Sequence, residues 1–486
     1  MKAVPGQPSF HILVCLIKIW TPQDPKNTAE EPEDALFITE VENIEIDDSY
    51  RKLINTASVK FPPGTIIKKT VTAEDEKSLA ANAAISADID DTGVLYTTRS
   101  YTQKAQLSDF KVGSRIKIWL GYTTDPDVAE SFKLTSKSSI HRSENRSKRN
   151  EYIADTKFLR LMFNGYITKC SIDYPIEIEC ENLASALKKV SCPDKNYTNA
   201  TVNDMMSADG GPKYKANLLK NTGLALHPDT KKCDINVGEI KLNSYLTVAD
   251  VLTEWAKYKV FAFIKEHNGT PYIAVGRTYF SNAGKDSILE LKSEESTIPK
   301  ICFDYHVANN GLTLMNTNKD FLVVEASCLD KDDKFYTIAI RRNPEWNEKM
   351  GSDKKWQLMN ETKISKKAQQ LGATVLGKSK DKVDLSTYTV IPYMSRKLRI
   401  GHDELLQEAI KHFESYNMNG IDGTLTLFGD LGLKSGTKVE LEDKLHPQKN
   451  GYYLVDEVHT TFGTKGYRQK IKLPYCISRF KKDKNE

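Results

Sequence analysis

The sequence predicts a β-rich α+β multidomain protein: two related β-barrels with smaller α/β domains inserted. Three observations carry this. The chain has 486 residues, enough for several separate cores, with 39% hydrophobic and 28% charged residues in the ordinary soluble range. Its 22 tyrosines suit strands and interfaces better than helical bundles. A short pattern is also written twice. Gly113-Ser114-Arg115-Ile116-Lys117-Ile118 matches Gly436-Thr437-Lys438-Val439-Glu440-Leu441, and each copy is followed by Asn-Gly-Tyr, at Asn164-Gly165-Tyr166 and Asn450-Gly451-Tyr452. A glycine turn before an alternating strand is common chemistry. Its recurrence with a second shared motif, at similar spacing once the polar stretch 123–156 is set aside, predicts a duplicated β-domain.

The first domain is expected over 1–190. Phe10–Trp20, Ala35–Ile46 and Asn55–Phe61 alternate or run apolar as strands do, and Pro62-Pro63-Gly64 ends the last of them. Segments 65–110 and 123–156 are polar, weakly periodic insertions. Between them Ile116, Ile118 and Leu120 share one strand face, opposite Arg115, Lys117 and Trp119. Strands follow at Leu159–Phe163 and Ile176–Cys180, and Asn182 is placed to cap a short helix carrying Leu183, Leu187 and Val190.

A small α/β domain is expected over 191–300. Thr247 and Asp250 form a capping-box variant before Val251, Leu252 and Trp255 on one helical face. A hairpin then turns near Asn268-Gly269 between Val260–Ile264 and Tyr272–Val275. The second barrel is expected over 301–344 and 386–475. It includes strands at Ile301–His306, Phe321–Ser327 and Phe335–Arg341, and a helix over 403–417 packing Leu406, Ala409, Ile410 and Phe413. Segment 345–385 is a Lys-rich insertion and 476–486 a basic tail.

A net charge of +4 gives no general argument for nucleic acid or membrane binding. The eight cysteines contain no C-x-x-C pair and are expected as free thiols made in a reducing cytoplasm. The apolar run Phe10–Trp20 carries His11 and Lys18 and is too short to span a membrane, so a strand is expected there.

No motif compels an enzyme, a cofactor or a metal. Gly372-Ala373-Thr374-Val375-Leu376-Gly377-Lys378-Ser379 fits the P-loop letters, but a polar helix precedes it where a buried strand is required. Asp88-Ile89-Asp90-Asp91-Thr92-Gly93 begins like a calcium loop, yet Arg99 stands where the bidentate Glu belongs. His402-Asp403 lacks converging ligands and suits a helix N-terminus. His459, near Glu457 on one strand face, is expected to be structural. The cluster Arg142, Arg146, Lys148 and Arg149 fits a solvated loop, or a surface for phosphates or an acidic protein. Arg468, Lys470 and Lys472 share one face of a strand, either as plain exposure or as the wall of a polar channel or subunit seam. No residue is assigned a catalytic, cofactor, metal or binding role.

Taken in order, Val112–Tyr122, Phe163-Asn164-Gly165-Tyr166 and Ile176–Cys180 resemble the first barrel of phage tail (baseplate) hub proteins. Gly429–Leu473 resembles their second barrel, and helix 248–256 with its hairpin the small domain between. The likeness is strongest to hubs of Mu-like and T-even contractile phages and to the hub part of type VI secretion spike proteins. It implies a homotrimer whose two tail-tube-like barrels per chain form a pseudo-six-fold ring. That ring would join a hexameric tail tube to a trimeric spike and pass DNA through its centre. It also implies a separate spike or tail-tip protein, tape-measure and other baseplate partners, and residence in the virion tail after synthesis in the host cytoplasm. It assigns the insertions 65–110 and 123–156 no role, and contacts to neighbouring baseplate or tape-measure proteins are expected of them. The rival expectations are a peptidoglycan-degrading tail-tip enzyme and a glycan-binding adhesin, neither with a visible site.

Overall fold

The computed structural model describes residues 11–22, 35–72, 98–124, 159–206, 298–314, 322–329, 335–346, 355–361 and 421–479. It also describes 218–276 apart from 221, 229, 231–235, 258–259 and 268–269, and 385–415 apart from 396–399. The P-loop-like run, the acidic run 88–93, the Arg142–Arg149 cluster and Cys233 lie outside the described residues.

The N-terminal unit contains β1 (Ile12–Trp20), β2 (Leu36–Ile38), β3 (Asn43–Ser49), β4 (Thr56–Lys60), β5 (Ile66–Thr72), β6 (Thr98–Lys104), β7 (Arg115–Thr123), β8 (Leu159–Cys170) and β9 (Glu177–Asn182). Alternation builds its core: Ile44 and Ile46, Ala57 and Val59, Ile116 and Ile118, and Ile178 and Cys180 all enter one buried cluster. Strands at both ends of the strand order feed that cluster, so the sheet folds back over itself. The run expected as one strand over 35–46 is two, because β2 pairs with β1 and β3 leaves to pair with β4. The expected insertion 65–110 is partly structural: β5 and β6 form a hairpin that extends the sheet from β2. Arg115, on the face opposite Ile116, Ile118 and Leu120, is buried. Its guanidinium lies between the rings of Trp20 and Tyr166, at 5.4 and 5.1 Å, and donates to Asn164 Oδ1 at 2.9 Å. Residues Leu183–Lys189 form a 3-10 helix, and the Asn182 side chain does not cap it.

The next core contains β10 (Lys195–Thr201), α1 (Val202–Met206), β11 (Ala225–Leu226), β12 (Asn236–Leu242), α2 (Val248–Lys257), β13 (Phe261–His267) and β14 (Thr270–Gly276). The box at α2 is present: Thr247 N–H and Oγ1–H donate to Asp250 Oδ2, and Asp250 N–H donates back to Thr247 Oγ1. Trp255 and Leu252 bury the inner face of α2.

After β15 (Lys300–Cys302) the strand expected to continue to His306 gives way to a short helix, α3 (Phe303–His306), and then β16 (Val307–Leu314). Strands β17 (Leu322–Leu329), β18 (Phe335–Arg342), β19 (Trp356–Glu361) and β20 (Thr389–Met394) form their own sheet in the order β19-β18-β17-β20. It packs on α4 (His402–Ser415) through Leu405, Leu406, Ala409 and Phe413.

Strands β21 (Ile421–Phe428), β22 (Lys438–Glu442), β23 (Gly451–Leu454), β24 (Glu457–Gly463), β25 (Gly466–Lys472) and β26 (Tyr475–Arg479) complete the C-terminal unit, whose core unites Ile301, Leu425, Val439, Tyr453 and Ile471.

Among the described residues no closed barrel forms, and the two units share one 13-stranded sheet, ordered β16-β21-β25-β24-β3-β4-β9-β8-β7-β1-β2-β5-β6. The physical reason is in the pairing. Strand β24 meets β3 of the other unit along its whole length, from Glu457↔Ser49 to Gly463↔Asn43, instead of closing on its own.

Candidate functional site

The seam where β24 meets β3 joins segments far apart in the chain. Across it His459 Nδ1 lies 2.7 Å from Asp47 Oδ1, giving that histidine a structural partner. At one end of the seam the Asp48 carboxylate accepts Ser435 N–H at 2.7 Å and Ser435 Oγ–H at 2.9 Å. Nearby Arg51 Nε donates to Asp456 at 2.6 Å, and Tyr50 packs edge-on against Phe261 and Phe263. Three units therefore converge on residues 48–51. At the other end the β24–β25 hairpin leaves its own unit: Phe462 and Tyr467 are buried in the N-terminal core. Tyr467 lies against Tyr122 (centroids 5.5 Å apart), whose hydroxyl donates to the Tyr467 carbonyl at 2.8 Å. Gly429 leaves room for that ring; a Cβ there would come within 2.2 Å of it.

Burial pushes the Asp48 and Asp456 carboxyls above the ordinary aspartate value, against the pull of Ser435 and Arg51 respectively. A carboxyl with a raised folded-state value binds its proton more tightly folded than unfolded. Its stability contribution is therefore fully present below about pH 4 and is lost as pH rises through the raised value. The denaturant midpoint is expected to fall over that interval, and Asp48→Asn to flatten the fall. An unchanged slope in the variant would remove Asp48 as its source.

The two glycine turns share one geometry. Gly113 and Gly436 both take positive φ, at 91° and 74°, as only glycine does cheaply. Gly113 donates to Ile167 O and Ile167 N–H to Ser114 O; Gly436 donates to Val455 O and Val455 N–H to Thr437 O. Ile167 thus corresponds to Val455. The Asn-Gly-Tyr runs do not correspond: Lys117 faces Asn164, whereas its counterpart Glu440 faces Tyr452. Following the ladders outward, Ile178 pairs with Val59 as Ile471 pairs with Leu425, and Val59 with Ile44 as Leu425 with Asn310. The spatial order β3-β4-β9-β8 is thus repeated as β16-β21-β25-β24. The two copies lie head to tail, the last strand of one beside the first of the other.

The copies differ in charge. Lys169 and Glu179 pair across β8 and β9 at 2.8 Å; at the same positions of β24 and β25, Glu457 and Lys472 pair at 2.6 Å with signs exchanged. Glu177 is likewise matched by Lys470. The cations at 470 and 472 thus have a context that spacing alone did not reveal: they mark one repeat against the acidic Glu177 and Glu179 of the other, whereas Arg468 stands where the first copy has Pro175.

Other residues singled out in the sequence are placed simply. His402 stacks on Tyr336 with centroids 3.7 Å apart, and Asp403 lies in the first turn of α4. Among the described residues no group of three potential metal ligands converges, the seven described cysteines form no disulfide, and no helix is long and apolar enough to cross a membrane.

No family model and no curated protein matches the chain. Solved structures do. The chain is similar to a tail protein from Neisseria meningitidis MC58 (10% identity, 94% of this chain and 96% of that one, TM-score 0.45). It is similar in the same degree to the 43 kDa tail protein of prophage MuSo2 from Shewanella oneidensis (10% identity, 96% and 98%, TM-score 0.45). An E. coli component of the type VI secretion system, described as structurally similar to T4 bacteriophage tail proteins, aligns at 9% identity over 96% of this chain and 79% of that one, with TM-score 0.34.

Proposed function

We propose that the protein is the structural hub of a phage tail or baseplate, a non-enzymatic trimeric ring that adapts a hexameric tail tube to a trimeric central spike and lines the passage for DNA. One observation carries this reading: the same four-strand order occurs twice and is joined head to tail within the chain. A contact that joins the end of one repeat to the start of the next is heterologous. Propagated between chains, it yields a ring when the rotation closes. Two repeats per chain give three copies six near-equivalent positions, which suits a six-fold tube on one side and a three-fold spike on the other. The resemblance of Val112–Tyr122 and Gly429–Leu473 to the barrels of tail hubs supports the same assignment. The partners implied are a tail tube protein, a separate spike or tip protein, a tape-measure protein and other baseplate components, with DNA present only in transit. The site of action is the virion tail, after synthesis in the host cytoplasm.

Negative-stain electron microscopy of the purified protein, alone and mixed with its tube protein, tests this. Rings with three-fold symmetry, six inner lobes and an open centre are expected. A closed dimer of any form would refute it.

A further inference from the structure

The head-to-tail repeat leaves one strand edge free at each end: the last residues of β8, paired with β9 on one side, and β16, which pairs only with β21 among the described residues. Within the chain the corresponding edges are β24 and β3, already joined. The exposed large apolar side chains are informative about the free pair. Val112, Ile172 and Tyr174 are 64%, 85% and 61% exposed; Tyr305 and Leu445 are 74% and 83% exposed. The first three flank the end of β8. Ile172 and Tyr174 lie in the β8–β9 turn, and Val112 precedes the Gly113 turn whose N–H binds Ile167. The last two belong to the β16 side: α3, carrying Tyr305, leads directly into β16, and Lys444, beside Leu445, pairs with Asp304 at 3.2 Å.

The joined seam shows what each set is for. At the β24–β25 hairpin, the counterpart of the β8–β9 turn, Phe462 and Tyr467 are buried in the neighbouring unit. Ile172 corresponds to Thr460, which is buried and lies opposite Ile46; the counterpart of Ile46 on β16 is Leu312. Counted from the shared glycine turn, Leu445 stands where Tyr122 stands, the residue that receives Tyr467.

We propose that the β8–β9 turn inserts into a second copy of this chain, seating Ile172 and Tyr174 against Leu312, Tyr305 and Leu445 while the end of β8 pairs antiparallel with β16. Apolar tips buried within the chain at one seam and left bare at its equivalent are the mark of a contact supplied by another copy. The inference deepens the hub reading by naming its subunit seam.

The test uses the full chain with a benzophenone amino acid at position 172, irradiated after mixing isotope-labelled and unlabelled copies. Mixed-label cross-links falling within 303–314 or 442–450 are expected; cross-links to other surfaces, or within single chains alone, overturn the proposal. The double variant Ile172→Asp, Tyr174→Asp changes solvent-facing turn residues and is expected to keep the wild-type melting curve while raising the concentration needed for self-association at least about 10-fold. An unchanged association constant, or a wild-type chain that never self-associates, also overturns it. The two readings separate cleanly. Three-fold rings with cross-links elsewhere remove the seam and leave the hub; cross-links as expected in open fibres remove the hub and leave the seam.

Discussion

Tyr467→Ala is expected to lower stability by about 3–5 kcal/mol, the usual cost of deleting a buried aromatic ring, and to loosen the N-terminal unit although the residue belongs to the C-terminal one. Its ring is fully buried in the cluster built from β1–β4 and β7–β9, packed on Phe462 and Tyr122 and over Gly429. Little can collapse into the space, because Gly429 offers no side chain. Hydrogen exchange of the full chain measures both effects. Amides of β3 and β7 should lose protection along with those of β24 and β25. Loss confined to β24 and β25 would show that the hairpin decorates the first core without supporting it.

Asp456→Ala is expected to cost about 3 kcal/mol at neutral pH. Asp456 is 6% exposed and is the carboxylate to which Arg51 Nε donates. Removing one member of a buried pair leaves the other desolvated without compensation, a change worth about 3–5 kcal/mol; the Arg51 side chain is 27% exposed, which places the estimate at the lower end. The double variant Arg51→Met, Asp456→Leu is expected to recover most of the loss, since the cost lies in the orphaned charge. Equilibrium unfolding in urea across the three proteins decides it, and a double variant as unstable as the single would show that the pair contributes shape rather than charge balance.

Much of the fold was legible because strand alternation is local. Ile116, Ile118 and Leu120 face inward as their spacing required, and the paired glycine turns at 113 and 436 adopt the positive φ their sequence implied. The Asn-Gly-Tyr match was misleading because a shared tripeptide does not fix register: Tyr166 lies one residue before Ile167, which bonds the first glycine turn, whereas Tyr452 lies three before Val455, which bonds the second. The burial of Arg115 was not legible either. Its alternation is that of an exposed residue, and only the distant rings of Trp20 and Tyr166 make burial tolerable. The seam itself could not be read from spacing. An edge strand's pattern specifies which face is apolar, not which partner it will meet. The exchanged charges of Lys169–Glu179 and Glu457–Lys472 became visible only once their strands were aligned in space.

The pairing of β3 with β24 also sets an order of events in time. Residues 43–49 are made early and find their ladder partners only when residues 457–463 have been made. Closing so long a loop is slow, and contacts this remote in sequence place the seam late in folding. Until then the edge of β3 is a bare row of hydrogen-bonding groups, open to any passing strand. The head-to-tail joint thus ties assembly to translation: no chain completes it before the ribosome has passed position 463.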